Sequence, residues 1–231
     1  MTLLLDGLVE ALRLLLTGDG EVWSILLFSV TVSATATLLA LVVGVPVGAT
    51  LALARFPGRS VAVTAVNAGM GLPPVVVGLV VSIVLWRSGP LGGLEALYTP
   101  AALVIAQALI ASPIVTGITL AAVQSVPAAF RLQLAALGAS RVQMLAVVIR
   151  EARLPMLAAV MAGFGAVISE VGASLMVGGN IKGQTRTLTT AMVLETGKGN
   201  FETALALAAL LLLVVFAVNW ALTWLQQARA R

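Results

Sequence analysis

Apolar residues run along this chain in long blocks separated by short polar ends, not interleaved with polar residues at a fixed period. A helical span of a bilayer core takes about 20 mostly apolar residues. Five blocks meet that length, at 23–54, 61–86, 98–123, 154–177 and 203–225. They predict an all-α integral membrane protein with about five transmembrane helices. Ahead of them, MTLLLDGLVEALRLLL has leucines at helical spacing interrupted by Asp6, Glu10 and Arg13, which suits a short helix lying on the membrane surface. The organisation expected is an interfacial or external segment over 1–21, a membrane domain over 22–226 and a tail over 227–231.

The pattern changes character over 125–154, the one long polar-punctuated stretch between spans. Ser125 and Pro127 can open a helix that runs to Leu137, and Gly138 supplies a stop. Ser140 and Gln143 stand at capping-box spacing for a second helix, which Pro155 is expected to close. On that helix Val142, Leu145, Ile149 and Ala152 share one face, while Arg141, Gln143, Arg150 and Arg153 point elsewhere. The corner formed by Ala135, Ala136, Leu137, Gly138, Ala139, Ser140 and Arg141 is shaped to sit in a groove of another protein. Spacing alone leaves a second reading open, an interfacial connector whose arginines only fix topology.

Composition agrees with the blocks. The chain is 60% hydrophobic and 10% charged, against roughly 25% charged in ordinary soluble domains, and its mean hydropathy is +1.10. With no cysteine and no histidine, disulfides, thiol chemistry and the commonest metal ligand and general base are excluded. The basic pI suggests topological anchors in such a chain, not nucleic acid. Five spans divide the loops into two sets. One holds Arg55, Arg59, Arg131, Arg141, Arg150, Arg153, Arg229 and Arg231 with Glu151 as its single acid, and the other is acidic on balance. The positive-inside rule places the first set in the cytoplasm, the N-terminus outside and the C-terminus inside.

Within the spans, candidate chemistry is sparse. Glu170 is the one acid inside a block, and a carboxylate there must meet protein or water. It reads either as a pore-side group or as an acceptor for neighbouring helix ends or an arginine. Ala162/Ala166, Gly165/Ser169 and Ser169/Ala173 are small-xxx-small pairs that let helices approach closely, within the chain or between two copies. Pro73 and Pro74 remove consecutive backbone donors and should kink or break the second span. The freed carbonyls are tolerated at membrane depth where protein or a water-filled path meets them. From Gly178 to Thr190 the chain is rich in Gly, Asn and Thr, including Asn180, Thr185 and Thr187, with Lys182 and Arg186. Hydroxyls, backbone N–H groups and a guanidinium suit an oxyanion, although an ordinary external loop has a similar composition. There is no phosphate-cradling pattern for ATP: Gly197-Lys198 is followed by Gly199, and no glycine stands five residues before the pair.

At these residues the sequence resembles a known family. VPAAFRLQLAALGAS followed by REARLP resembles the cytoplasmic loop by which bacterial ABC importer permeases dock on their ATPase. Leu132-Gln133-Leu134 stand where the family has Glu-Ala-Ala, and Gly138 to Pro155 is about one helical turn longer than the usual spacing. GLPPVVVGLVVSIVLWRSGPLG, residues 71–92, resembles the second span of molybdate, tungstate and sulfate permeases. SEVGASLMVGGNIKGQTRTLTTAMVLETGKGNFETALA, residues 169–206, is similar to the tungstate type.

The resemblance implies the type I importer permease fold in a bacterial or archaeal cytoplasmic membrane. It implies a homodimer, two copies of a cytoplasmic ATPase and an external oxyanion-binding protein as partners. It also implies no cofactor in this chain, with ATP-Mg used by the ATPase. A translocation path would include Pro73, Pro74, Glu170, Gly172, Ser174, Asn180, Thr185 and Thr187. Two rivals remain at this point. An ion-coupled secondary transporter would need more intramembrane carboxylates than Glu170 or an inverted repeat. An intramembrane enzyme would need a nucleophile–base pair, and no lysine lies within a span.

Overall fold

The computed structural model describes residues 20–228, together with Val9 and Arg13. The expected surface segment over 1–21 and the tail over 227–231 lie almost wholly outside the described residues. Among the described residues no strand occurs.

The first long helix, α1 (Gly20–Leu53), carries Pro46 in its interior. At 1.5 Å per residue it is roughly 50 Å long, enough to cross a bilayer at a tilt. Its hydroxyls do not break it, because Ser29, Thr31, Thr35 and Thr37 each donate to the carbonyl four residues back. The second block is a bent pair, α2 (Arg59–Met70) and α3 (Pro74–Leu85), which turn by 100° at their junction. The cause is local and was legible: Pro73 is the N-cap and Pro74 the first residue of α3, so neither missing N–H costs a helical bond. The helix α4 (Pro100–Gln124), with Pro113 in its interior, follows two residues later than expected because Tyr98 sits at positive φ and its N–H bonds Val177 O outside the helix.

The polar stretch folds as α5 (Ala128–Ala136) and α6 (Arg141–Glu151). Pro155 does not close α6. The helix ends at Glu151, and Pro155 is the third residue of α7 (Arg153–Ile168), where a first-turn proline forfeits no intrahelical bond. The face of α6 is also shifted from the expected one. Met144, Leu145, Val148, Ile149 and Ala152 pack on the body, and Val142 is 76% exposed.

The fourth block is broken as well. α7 and α8 (Gly172–Gly178) are bent by 61° around Ser169–Val171, a break the apolar run gave no sign of. α9 (Leu188–Gly197), not expected from the sequence, is opened by a Thr187–Thr190 capping box, and α10 (Phe201–Ala228) completes the fold. Three described helices are long and apolar enough to cross a membrane, or up to five if each bent pair is one span.

The central core joins Val32 and Ala40 of α1, Val77, Val81 and Leu85 of α3, Leu103, Ala106, Ile110 and Val115 of α4, Ala159 and Val167 of α7, and Ala173 and Val177 of α8. Close approach in this core is set by glycine. A Cβ on Gly44 or Gly48 would lie 2.8 Å from Val115 Cγ1 or 2.5 Å from Thr116 O, so α1 crosses α4 nearly backbone to backbone. Gly44 and Gly48 form a GxxxG pair that sequence reading passed over in favour of the pairs on α7. On α7 a Cβ at Gly165 would meet nothing within 4 Å inside the protomer. Large apolar side chains remain outside, among them Leu38, Val42, Leu79, Ile83, Leu212, Phe216 and Trp220. That surface suits lipid or another transmembrane chain.

Candidate functional site

Two regions carry the residues singled out by the sequence, and they lie toward opposite ends of α1. The first is the α5–α6 loop. Leu137 N–H donates to Gln133 O, Gly138 N–H to Ala135 O and Ala139 N–H to Leu134 O, which terminates α5 with its carbonyls satisfied. Gly138 makes this turn at φ 77, a conformation in which a side chain is strained. The capping box then starts α6: Gln143 N–H donates to Ser140 Oγ at 3.3 Å, and Ser140 N–H donates to Gln143 Oε1 at 2.9 Å.

Ala135, Ala136, Leu137, Gly138, Ser140 and Arg141 are exposed and Ala139 half-buried. Leu132 and Leu137 are 70% and 83% exposed. The opposite side of the loop is held by Val148 and Ala152 against Ala49 of α1 and Ala122, Val123 and Val126 at the end of α4. The base of the loop is therefore seated on the ends of two long helices. Between the loop and α1 lies a cleft of about 620 Å³ lined in part by Arg55, Arg59 and Arg131. There Arg59 Nε donates to Leu51 O at 2.7 Å, satisfying a carbonyl at the end of α1.

The second region is where the two helix breaks meet. α3 and α8 touch through Gly78, whose Cβ would fall 2.6 Å from Ala173 Cα, and through Gly172, whose Cβ would fall 2.6 Å from Val75 Cγ2. Pro73 is exposed and Pro74 and Gly172 are half-buried at this contact. Glu170 is 9% exposed. Its Oε1 accepts from Ala173 N–H at 2.8 Å, so the carboxylate serves the free amides at the start of α8, where the helix dipole favours negative charge. Its backbone carbonyl accepts from Thr189 Oγ1 at 2.8 Å. No arginine pairs with it among the described residues.

Behind the break, Ser174 is buried and its Oγ has no partner. Asn180, at φ 52, donates from Nδ2 to Thr190 O at 3.3 Å, while its buried Oδ1 is unpaired. The threonines that seemed suited to an anion are buried and used within the chain. Thr185 Oγ1 donates to Gly178 O and accepts from Ile181 N–H, and Thr187 Oγ1 lies 3.0 Å from Thr189 Oγ1 and 3.1 Å from Thr190 Oγ1.

Sequence reading missed two groups here. Ser29 of α1 accepts from Leu188 N–H at 2.8 Å, which ties α9 to the body. Glu21, near the start of α1, is reached by Lys182 at 2.6 Å and Arg186 at 3.5 Å. Nothing in the linear pattern joins positions so far apart.

Comparison with known proteins gives the same picture at the level of family. Residues 44–231 match the model of the binding-protein-dependent transport system inner membrane component. A probable anion ABC transporter permease protein of Haloferax volcanii is 45% identical over 85% of this chain and 87% of its own length. The tungstate uptake system permease protein TupB of Peptoclostridium acidaminophilum is 37% identical over 98% of this chain and 100% of its own. Among solved structures, an inward-facing conformation of the MetNI methionine ABC transporter superposes with a TM-score of 0.75 at 19% identity, covering 95% of this chain and 99% of that one. The fold is thus an ABC transporter permease fold, and the chain belongs to the family of binding-protein-dependent transport system inner membrane components.

Proposed function

We propose that this chain is the transmembrane subunit of an ABC importer for an oxyanion, tungstate first and molybdate next. The likeness to tungstate and molybdenum permeases supports that substrate class. In this reading two copies form the pathway, each with five spans, the N-terminus outside and the C-terminus inside. The excess of arginine over acid on the side of the α5–α6 loop supports that orientation. A separate ATPase subunit, in two copies, binds ATP-Mg, and an external binding protein delivers the anion. The chain itself performs no covalent chemistry.

The observation that carries the reading is the α5–α6 loop, an exposed apolar tip on a base packed into the ends of α1 and α4. Closure of the ATPase pair moves the tip as a lever, and the bent pairs α2/α3 and α7/α8 are the elements whose angle changes. This is coupling between distinct sites through alternative packings.

The test is co-reconstitution in proteoliposomes with the ATPase and binding protein, reading tungstate uptake and tungstate-stimulated ATP hydrolysis. At φ 77 a β-branched side chain is strained by about 1–2 kcal/mol. Nothing lies within 4 Å of the Gly138 Cβ position, so that strain is local. Gly138→Val should therefore fold but lose coupled transport. Uptake by Gly138→Val equal to wild type, or ATP hydrolysis indifferent to this chain, defeats the reading.

A further inference from the structure

At the end of α1 remote from the α5–α6 loop, Lys182 and Arg186 both reach the carboxylate of Glu21. Lys182 Nζ lies 2.6 Å from Glu21 Oε2, and Arg186 Nη1 lies 3.5 Å from Glu21 Oε1. The three side chains differ in burial: Lys182 is 67% exposed, Glu21 45% and Arg186 15%. Arg186 is held by its backbone in a tightly folded loop, in which the Gln184, Thr185 and Arg186 amides all donate to Ile181 O. The turn is completed by Gly179, Asn180 and Gly183 at positive φ. Among the described residues its guanidinium makes one hydrogen-bond contact, the long one to Glu21, with the Glu195 carboxylate acting on it electrostatically, and its Nε is buried with no partner. A largely buried arginine with an unused donor is a poor structural ion pair and a good receptor for a ligand with several oxygens.

The geometry points to an oxyanion-binding site at Lys182 and Arg186 in which the Glu21 carboxylate occupies the place of the ligand. This rests on the reading that the transported species is an oxyanion. A carboxylate and a tetrahedral oxyanion both offer paired oxygens to a guanidinium fork. The dianion carries the greater charge and more acceptors, and it can take the free Nε as well as Nη1. The exposed Lys182 ammonium turns with little cost to follow it. Displacement of Glu21 then breaks the ionic contact between the start of α1 and the 179–187 segment, which continues α8 and leads into α9. The site is thereby joined to the segment that follows the α7/α8 break, and the α9 anchor between Ser29 and Leu188 remains in place.

The experiment is equilibrium binding of sodium tungstate to the permease–ATPase complex in lipid nanodiscs, without binding protein, by titration calorimetry. Wild type should bind weakly and saturably. Glu21→Gln removes the competing carboxylate and should tighten binding, whereas Arg186→Gln should weaken it by about tenfold or more, the scale of a charged hydrogen bond. Lys182→Gln should weaken it less, because its ammonium is exposed. An unchanged or weaker affinity in Glu21→Gln overturns the inference, as does full binding by Lys182→Gln and Arg186→Gln together. Should Arg186→Gln fail to fold, the exposed Glu21 and Lys182 variants still decide, since they must shift affinity in opposite directions. Absence of binding-protein-dependent uptake of any oxyanion by wild type would instead refute the importer reading. Normal uptake with no effect of these variants on binding sinks this site alone.

Discussion

Replacing Gly48 by alanine probes the contact that sets the whole packing. A Cβ there would lie 2.5 Å from Thr116 O, 2.9 Å from Thr119 Cβ and 3.1 Å from Leu120 N. Ordinary van der Waals contact begins near 3.4 Å, so the nearest atom is about 0.9 Å too close. That atom is a backbone oxygen within α4, which cannot rotate aside. α1 must therefore move bodily from α4, which also loosens Gly44 from Val115 one turn earlier. Overpacking of this kind costs about 1–3 kcal/mol, while alanine in place of glycine within a helix returns about 0.5–1 kcal/mol. The net is a loss centred on about 1 kcal/mol and reaching about 2.5 kcal/mol, or roughly 2–4 °C in melting temperature at the centre for a domain of this size.

Gly197→Ala is the control, because Gly197 is helical and has nothing within 4 Å of its Cβ position. It should melt at or slightly above wild type. The movement of α1 also reaches Ala49, Ala52 and Leu53, on which α6 is seated, so coupled ATP hydrolysis should fall in Gly48→Ala beyond what lost protein explains. Thermal unfolding in detergent and the coupled assay on equal folded protein are the measurements. If Gly48→Ala melts no lower than wild type, the crossing is not as tight as described and the reasoning fails.

Three further substitutions test separate links. Ser29→Ala leaves the buried Leu188 N–H without its acceptor and should cost about 1–3 kcal/mol, with faster hydrogen exchange at Leu188; Ser29→Thr keeps the oxygen and should cost less. Ser140→Ala removes the cap on α6 and should cost about 0.5–2 kcal/mol locally, read as faster exchange across the first turn of α6 with the membrane helices unchanged. The hydrogen bond from Asn200, with the Lys198 ammonium beside it, holds the Glu195 carboxyl below its ordinary value of 4.5. A depressed folded value means the stabilisation is present above the unfolded value and is lost as pH falls through the folded one. The melting-temperature gap between wild type and Asn200→Ala should therefore narrow as pH is lowered below 4.5, and a gap constant from pH 7 to pH 3 would contradict it.

By itself the sequence determined what short-range physics controls. Apolar block length marked out five candidate membrane segments, three of them single long helices in the structure and two of them bent pairs, because a bilayer sets a minimum run. Pro73-Pro74 announced the break before α3, and Gly138 with Ser140 and Gln143 announced the turn and cap of the loop, since each effect lies within a few residues of its cause. Only the tertiary structure decided the rest. The α7/α8 break depends on Glu170 finding the Ala173 amide and Thr189 finding the Glu170 carbonyl, and the second partner is brought by a fold the local pattern does not encode. The anion-friendly threonines proved to be tied up inside the chain, because burial assigns hydroxyls to whatever backbone groups lie unsatisfied nearby. Gly48 looked like one small residue among many until Thr116 was found 2.5 Å from where its side chain would begin. Glu21 acquired its meaning from Lys182 and Arg186, over 160 residues away in sequence and within hydrogen-bonding reach in space.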